Sequence, residues 1–258
     1  MATQSVGFVA GGRVVSILLA GWARAGATPG KVVVFDSDAD VLARLKTTHA
    51  QIDVTSDLSV AAGQDVVFLA VHPPVVKGVL PQVKPSLNRD AVLVSLAPKF
   101  TIAKLTDMLS GFDRIVRLVP NAPSAIGKGY NPVAFGQAVG AADRDALKTL
   151  FAPLGYCPEV PEEHLEAYAI VSAMGPTYLW FQLQTLRELA AEFGLSPQAA
   201  DEAILATVNG AAACLLTTEW TPEKVMDMIP VKPLGEHEEA INAIYRDELM
   251  GLFRKLST

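Results

Sequence analysis

The chain is poor in cysteine, and its cysteines are not spaced to bind a metal. It has only two, Cys157 and Cys214, which are far apart in the sequence and lie in apolar surroundings. This excludes the paired spacing of a zinc site. We therefore expect two buried, reduced thiols and no metal centre.

The chain also lacks an excess of positive charge. Its formal net charge is -6, with 50% hydrophobic and 19% charged residues, and no Lys/Arg cluster interrupts it. This excludes a typical nucleic-acid footprint, disfavours binding to an anionic membrane surface and rules out a largely disordered chain. Residues 1–5 lack the basic flank and apolar core of a signal peptide, so we expect a cytoplasmic protein.

The first half alternates short β-branched runs with helical segments. After an opening strand at Val6–Val9, runs at 32–35, 66–70, 91–96, 114–118 and 133–135 read as strands. Helical spacing at 39–46 and 102–109 follows two plausible N-caps, Asp38 and Thr101. This alternation predicts an α/β fold of Rossmann type, a doubly wound and mostly parallel sheet with helices on both faces.

The strand pattern ends near residue 160. A helix predicted at 143–154 leads to a last edge strand at 157–160, which is bounded by prolines. Three long helical patterns follow, at 163–193, 197–217 and 236–256. We therefore expect a dinucleotide-binding domain at 1–160 and an all-helical domain at 161–258.

The middle helix of the second domain is unusually apolar. Residues 203–216 are apolar nearly all round, yet the run is too short to span a bilayer, so we expect it to be buried. Two arrangements would bury it: a homodimer formed through the helical domains, or a central helix shielded within one subunit.

A glycine-rich turn follows the first strand and opens a helix, an arrangement typical of pyrophosphate binding. The positions of the G-x-G-x-x-G pattern hold Ala10, Gly12 and Val15, so only the middle glycine is kept. We expect contacts to the cofactor from Gly7, Ala10, Gly11, Gly12 and Arg13. We expect the cofactor to be NADPH or NADH.

The second strand ends at Asp36, where an acid can bind the ribose hydroxyls of NAD. Asp36 and Ser37 are expected to choose between the two cofactors. Arg13 opposes the dipole of the following helix, and it either holds a cofactor phosphate, including a 2′-phosphate, or pairs with Asp36.

Other strands end in polar groups at the same edge of the sheet. We expect further cofactor contacts from Ala70, Val71, His72, Pro73, Ala97 and Asn121. Asn121 lies between two prolines, where a rigid amide could orient a nicotinamide or a substrate, or could only end the strand as an Asx-type turn.

Three motifs, in order and at matching spacing, resemble those of the pyrroline-5-carboxylate reductase family. Val71-His72-Pro73 stands where that family has V-K-P, residues 120–123 where it has P-N-T-P, and residues 172–178 where it has S-G-S-G-P-A-Y. The resemblance runs from Val6 to nearly the C-terminus. It implies a nucleotide domain, a helical domain that interlocks in a dimer, and hydride transfer from NAD(P)H to a cyclic imine to give proline.

The chain departs from that pattern at residues 231–237. The family has T-S-P-G-G-T-T there, a loop that holds the substrate carboxylate and supplies a catalytic threonine, whereas this chain has Val-Lys-Pro-Leu-Gly-Glu-His. His237 could replace the proton donor and Lys232 could fix the substrate's acid, or His237 could be a bystander in an acidic first turn. His49 and His164 are expected to be surface residues without a role.

The predicted function is NAD(P)H-dependent reduction of a small cyclic imino acid. The expected catalytic residues are His237, Ser172 and Asn121. Expected substrate contacts are Lys99, Met174, Gly175, Pro176, Thr177, Lys232 and Glu236. Two alternatives stay open: a reductase of a different imine or 2-oxo acid, and a dimeric nucleotide-binding protein without turnover, in which the Cβ atoms of Ala10 and Val15 obstruct the site.

Overall fold

The computed structural model describes residues 4–257 and contains a seven-stranded sheet. Its strands are β1 (Val6–Val9), β2 (Val32–Phe35), β3 (Asp53–Thr55), β4 (Val66–Leu69), β5 (Val92–Ser95), β6 (Ile115–Leu118) and β8 (Val133–Phe135). Their order in the sheet is β3-β2-β1-β4-β5-β6-β8. All pairs are parallel except β6 with β8, which is antiparallel. The predicted doubly wound, mostly parallel sheet is confirmed.

Helices cover both faces of this sheet. They are α1 (Arg13–Arg24), α2 (Ala39–Thr48), α3 (Leu58–Ala62), α4 (Pro73–Val83), α5 (Ile102–Met108) and α6 (Ala141–Phe151). One buried cluster joins the sheet to α1, α2 and α6, and includes stacked Phe8 and Phe68 with Trp22 against them. A second cluster joins the other face to α3, α4 and α5.

Both predicted N-caps are confirmed. The Asp38 side chain accepts a hydrogen bond from the Asp40 N–H, and the Thr101 side chain accepts one from the Lys104 N–H. Each therefore satisfies an amide that the first turn of its helix cannot bond internally. The caps fix where the chain leaves β2 and β5 for the following helix.

The predicted strand at 157–160 is wrong. The chain there forms only an isolated bridge between Val133 and Glu159. The regular strand, β9 (Gly155–Tyr156), ends before this segment. It pairs with β7 (Gly129–Tyr130) in a separate two-stranded sheet. Prolines at 158 and 161 remove two amide donors, so this segment cannot continue a ladder.

The segment from Glu162 to Met174 is helical but irregular. A 3-10 turn (Glu162–His164) leads into α7 (Leu165–Tyr168), and a π-helix (Ala169–Ala173) follows. The predicted single helix at 163–193 is therefore broken. The amide of Met174 bonds to the carbonyl of Ala169, five residues back, a wide turn that is often found at functional sites.

The structure divides into two compact units. The first reaches to Pro176 and includes the C-terminal residues from Leu252; the second is Thr177–Gly251. Helices α8 (Gly175–Glu192) and α11 (Glu238–Ser257) each run from one unit into the other, whereas α9 (Pro197–Leu216) and α10 (Pro222–Met226) lie in the second. The proposed domain boundary after residue 160 stays a prediction.

Within the second unit, polar and aromatic contacts join the helices. Arg187 on α8 pairs with Asp201 on α9. The rings of Tyr178 on α8 and Tyr245 on α11 meet edge to face, with centroids 6.0 Å apart. Helix α9 itself buries one residue, Ala200.

Helix α9 is longer than the apolar run suggested. Among the described residues it is the one helix that is long and apolar enough to cross a membrane, with a mean hydropathy of 1.3, judged by length and composition alone. The predicted run 203–216 is too short by itself, but the helix that contains it has about the 20 residues that span a bilayer. Only 6% of this helix is buried, so the arrangement in which one subunit shields it is also wrong.

We predict that Gly7→Ala destabilises the first unit. An added Cβ would lie 1.8 Å from the carbonyl oxygen of Ala61 on α3, so strand and helix must separate at a cost of at least about 2 kcal/mol. Urea unfolding measures the loss. The control is Gly78→Ala, where a Cβ meets no atom within 4 Å and helix propensity predicts equal or higher stability. Equal stability of both variants would contradict the packing.

Candidate functional site

A cleft of about 960 Å³ lies in the first unit. Its lining includes the residues that follow β1, β4, β5 and β6, so it lies along the carboxyl edge of the parallel sheet. One face each of α1 and α2 and part of the π-helix complete the lining. In open α/β sheets this edge is where ligands bind.

The turn after β1 opens toward this cleft. Gly11 packs against α2, where an added Cβ would lie 2.7 Å from Leu45, and Gly12 is exposed with open space around its Cβ position. No side chain caps the start of α1, and its first turn holds no acidic residue. The end of the helix dipole and its first amides are thus left for an anion.

Ala10 adopts the backbone conformation of a glycine, with φ at 85°. Its N–H donates to the carbonyl of Phe35 at 2.9 Å, which ties the turn to β2. Neither Ala10 nor Val15 lines the cleft, and Val15 is fully buried in the core. Obstruction of the cleft by these two Cβ atoms is therefore not supported.

The charged side chains that line the cleft are all cationic. Arg13, Arg44 and Arg117 line it together with His49 and His72, and no Asp or Glu is among the described residues that do so. The chain as a whole carries a net charge of -6. A cationic cleft in an acidic protein favours an anionic ligand such as a dinucleotide.

The Asp36 carboxylate supports the glycine turn. Its Oδ2 accepts from the Gly11 N–H at 2.7 Å and its Oδ1 accepts from the Asp38 N–H at 2.9 Å. No ion pair between Arg13 and Asp36 is found among the described residues. Of the two predicted roles of Arg13, phosphate binding is the one that the geometry leaves in place.

His49 is a buried residue of the cleft, contrary to the prediction of a surface position. It is 5% exposed, and burial lowers the pKa of its imidazole below the usual 6.5. A neutral histidine is therefore favoured at the end of α2. His164 is exposed, as predicted.

Asn121 uses its side chain within the protein. Its Nδ2 donates to the carbonyl of Ser172 and its Oδ1 accepts from the Tyr130 N–H, both at 3.1 Å. The Ser172 hydroxyl donates to the carbonyl of Tyr168 at 2.8 Å. Asn121 thus attaches the π-helix to the end of β6, so the reading as a local Asx-type turn is wrong, while its expected role in catalysis stays a prediction.

The structure brings together part of the predicted cofactor set. The predicted residues that line the cleft are Gly11, Gly12, Arg13, Ala70, Val71, His72, Pro73, Ala97, Asn121 and Met174. Gly7 does not, because it lies within buried β1 against α3. Lys99 and Ser172 are next in sequence to cleft residues without lining the cleft themselves. Asp36 and Ser37 do not line it either, although Asp36 accepts a hydrogen bond from the amide of Gly11, which does.

The predicted substrate residues are divided between the two units. Gly175 and Pro176 are half-buried in the first unit. Thr177, Lys232, Glu236 and His237 belong to the second unit, where all four are exposed. The last two lie in a 3-10 turn (Gly235–His237) that leads into α11.

The sequence analysis missed three basic side chains of the cleft. Arg44 and His49 follow Val41 by three and eight residues, so all three lie on one face of α2, a spacing that an amphipathic-helix reading could have found. Arg117 is 2% exposed near the end of β6. A charge inside a buried strand was its signal.

Two family models match the chain. Residues 5–99 match the model described as NADP oxidoreductase coenzyme F420-dependent. Residues 162–257 match that of the pyrroline-5-carboxylate reductase dimerisation domain.

Relatives are similar over nearly the whole length. A pyrroline-5-carboxylate reductase of Corynebacterium melassecola is 27% identical over 252 residues, which cover 96% of this chain and 93% of that protein. One of Pseudomonas aeruginosa is 27% identical and covers 94% and 89%.

Solved structures show the same fold. A pyrroline-5-carboxylate reductase of Coxiella burnetii, 28% identical, superposes with a TM-score of 0.70 over 99% of this chain and 95% of that one. A pyrroline carboxylate reductase of Plasmodium falciparum, with NADP bound, is 22% identical and gives 0.80 over 100% and 97%.

The sheet, the cationic cleft and the helical second part define an NAD(P)-dependent oxidoreductase with a dimerisation domain. Within that class, residues 162–257 match the dimerisation domain of the pyrroline-5-carboxylate reductases, and the chain is similar to members of that family over nearly its whole length.

We predict that Asp36→Ala weakens NADH binding by about tenfold or more, because it removes the acceptor for ribose hydroxyls and the support of the Gly11 amide. NADPH binding should fall much less, since the same change removes a negative charge from the site of the 2′-phosphate. Titration by nicotinamide fluorescence measures both affinities.

The matched control is Asp40→Asn, which removes the same charge from the exposed first turn of α2. It should leave both affinities within about twofold. Equal losses for NADH and NADPH in Asp36→Ala would contradict the ribose role.

Proposed function

We propose that this protein reduces the C=N bond of Δ1-pyrroline-5-carboxylate with NAD(P)H and produces proline. The observation that carries the proposal is the cleft at the carboxyl edge of the sheet, with an uncapped helix start and only cationic charged residues in its lining. The family relationship supports the substrate: the relatives of similar length carry the name of this activity.

The residues of the cleft fit the cofactor. Gly12 leaves open space at the start of α1 for a pyrophosphate, and Arg13 lines the same end. We place the adenosine end of the cofactor near Asp36, which follows β2. The nicotinamide end then extends across β4 toward β5 and β6. Each strand adds about 4.8 Å along that path.

When bound, NAD(P)H supplies a hydride to the imine carbon, while the imine nitrogen takes up a proton. The protein's part is to hold both partners in line and to exclude water. We assign the nicotinamide side of the cleft to Ala97 and to the residues around Asn121. Met174, Gly175, Pro176 and Thr177 are proposed to shape the substrate side.

Two histidines are candidates for the proton donor. His237 is our first choice, since it ends the 3-10 turn before α11 and lies in the segment 231–237, where the family it resembles has its catalytic threonine. His72 is the second, because it is exposed at the start of α4 and lines the cleft. Lys232, Glu236 and Lys99 are proposed to contact the substrate's acid group.

We further propose a homodimer formed through the helical part. Helix α9 is apolar yet only 6% buried. Large exposed side chains on α8 and α9 include Trp180, Phe181, Leu205 and Leu216. Such a surface is typical of an interface, and the match to a dimerisation domain over residues 162–257 supports a second copy as its partner.

The first experiment titrates the protein with NADH and NADPH and then adds pyrroline-5-carboxylate to the tighter complex. We expect binding followed by oxidation of the nicotinamide. His237→Ala should lower kcat by about a hundredfold or more while cofactor affinity stays nearly unchanged, because a proton donor acts in the chemical step. His72→Ala is measured in parallel, and exposed His164→Ala is the control.

Each other outcome has a definite meaning. If His72→Ala lowers kcat and His237→Ala does not, the proton comes from the cleft of the first unit. If both variants keep the parent's rate, neither histidine is the donor. Binding without oxidation would overturn the proposed substrate and direct the search to other imines and 2-oxo acids.

We predict that Leu205→Glu dissociates the dimer. Leu205 is 61% exposed in the single chain, so a charge there is tolerated unless a second copy covers it. Sedimentation should give the parent about twice the chain mass of 27.4 kDa and the variant the chain mass alone.

The matched control is Ile126→Glu, which places the same charge at an equally exposed position, 61%, in the first unit. It should sediment as the parent does. A monomeric parent, or a Leu205→Glu variant that stays dimeric, would contradict an interface on α9.

A further inference from the structure

Arg117 carries a buried charge in the wall of the cleft. It lies one residue before the end of β6, and 3% of its side chain is exposed. Burying a guanidinium is costly unless it is paired and hydrogen-bonded. Two carboxylates supply the pairing: Nη1 lies 3.1 Å from Glu162 Oε1 and Nη2 lies 2.5 Å from Glu166 Oε1.

The same two carboxylate oxygens also accept backbone hydrogen bonds. Glu166 Oε1 accepts from the Lys99 N–H at 3.2 Å, and Glu162 Oε1 accepts from the Ile102 N–H at 2.6 Å. Lys99 lies within the loop between β5 and α5, residues 96–101, and Ile102 is the first residue of α5. The carboxylates therefore connect Arg117 on β6 to the interior of the neighbouring loop and to the start of the helix that follows it.

This loop needs external support. Lys99 has a φ of 71°, which an L residue adopts at a cost and keeps only where the surroundings hold it. Pro98 has no N–H to anchor the segment. The Ala97 N–H has only a long bond of 3.3 Å to the Ser95 hydroxyl.

The loop matters because it forms part of the cleft. Ala97 and Pro98 line it after β5, as does Arg117 on the next strand. This is the side assigned above to the nicotinamide, two strands away from the glycine turn. An error of about 1 Å in such a wall can cost about a hundredfold in hydride transfer, since the reacting atoms must stay aligned.

We propose that Arg117, Glu162 and Glu166 form a positioning cluster for hydride transfer. It fixes residues 97–99 as the wall behind the nicotinamide, and Glu166 holds Lys99 in the left-handed conformation. Because both of its terminal nitrogens are bonded to carboxylates, Arg117 acts through this wall and not as a ligand. The inference rests on the proposed reductase function.

A double-mutant cycle tests the proposal with Glu166→Ala, Lys99→Gly and the two together. Glu166→Ala should lower kcat by about tenfold or more at temperatures where it is fully folded, with cofactor Kd changed by less than about threefold. Lys99→Gly alone removes the proposed contact of Lys99 with the substrate's acid group and sets the reference rate. In that background Glu166→Ala should cause little further loss of kcat, because glycine adopts a positive φ without support. This coupling is what a merely structural role of Glu166 would not produce.

Glu159→Ala is the control. Glu159 pairs with Arg144 and Lys148 in the same unit, but it is 41% exposed and does not line the cleft. It should leave kcat unchanged. If Glu166→Ala does not fold, Glu166→Gln, which keeps the volume and a neutral oxygen acceptor, takes its place in the cycle with a smaller expected loss.

The proposal is overturned if the two substitutions act independently, or if folded Glu166→Ala keeps kcat within about twofold of the parent. A parent that binds NADH but does not turn over would overturn the proposed substrate alone. The cycle is then followed through the fluorescence of bound NADH, which reports the surroundings of the ring. It should change in Glu166→Ala and return in the double variant; an unchanged signal overturns the cluster.

Discussion

The backbone turn after β1 is the constraint on which the cleft depends. Ala10 takes a left-handed conformation there, which costs roughly 1–2 kcal/mol for an L residue. The cost is borne because β2 holds the turn on both sides of Ala10: the Phe35 carbonyl accepts from the Ala10 amide and the Asp36 carboxylate accepts from the Gly11 amide. The fold thus imposes a glycine-type turn on an alanine.

The end of β5 meets the same constraint by different means. Lys99 is also left-handed, but among the described residues its N–H donates to the carboxylate of Glu166, which lies outside the sheet, and not to a strand carbonyl. That glutamate is itself held by a buried arginine. The first turn is thus maintained by sheet contacts, and the second by charged side chains that substitution can remove singly.

The local hydrophobic pattern of the sequence predicts much of the fold, and the predictions that were wrong have physical causes. The β-branched runs correctly predicted the buried strands, because a strand that is buried on both faces is apolar at nearly every position. β3 was missed because it is a three-residue edge strand whose side chains are exposed or half-buried, so it has no apolar run. The segment 157–160 was wrongly predicted to be a strand for the opposite reason. Its apolar residues lie beside β8, but its prolines prevent a continuous ladder of backbone hydrogen bonds.

The site was predictable where backbone chemistry decides and less so where side chains meet from distant segments. The glycine turn and the strand ends were found because their positions follow from the sheet. Arg117 was not, because its partners Glu162 and Glu166 come from 45 and 49 residues further on, and sequence spacing does not bring them together. The sequence identified Asn121 as a site residue but not its connection to the π-helix, because the Ser172 carbonyl to which it donates is 51 residues away.

The helical part shows the limit of reasoning from one chain. The apolar run in α9 correctly indicates a surface that avoids water, yet the single chain leaves this helix almost entirely exposed. The apolar composition of a helix indicates that the helix is buried, but it does not identify the surface that covers it. A second copy would cover it, because it offers an identical apolar surface and a two-fold axis makes such a surface its own complement.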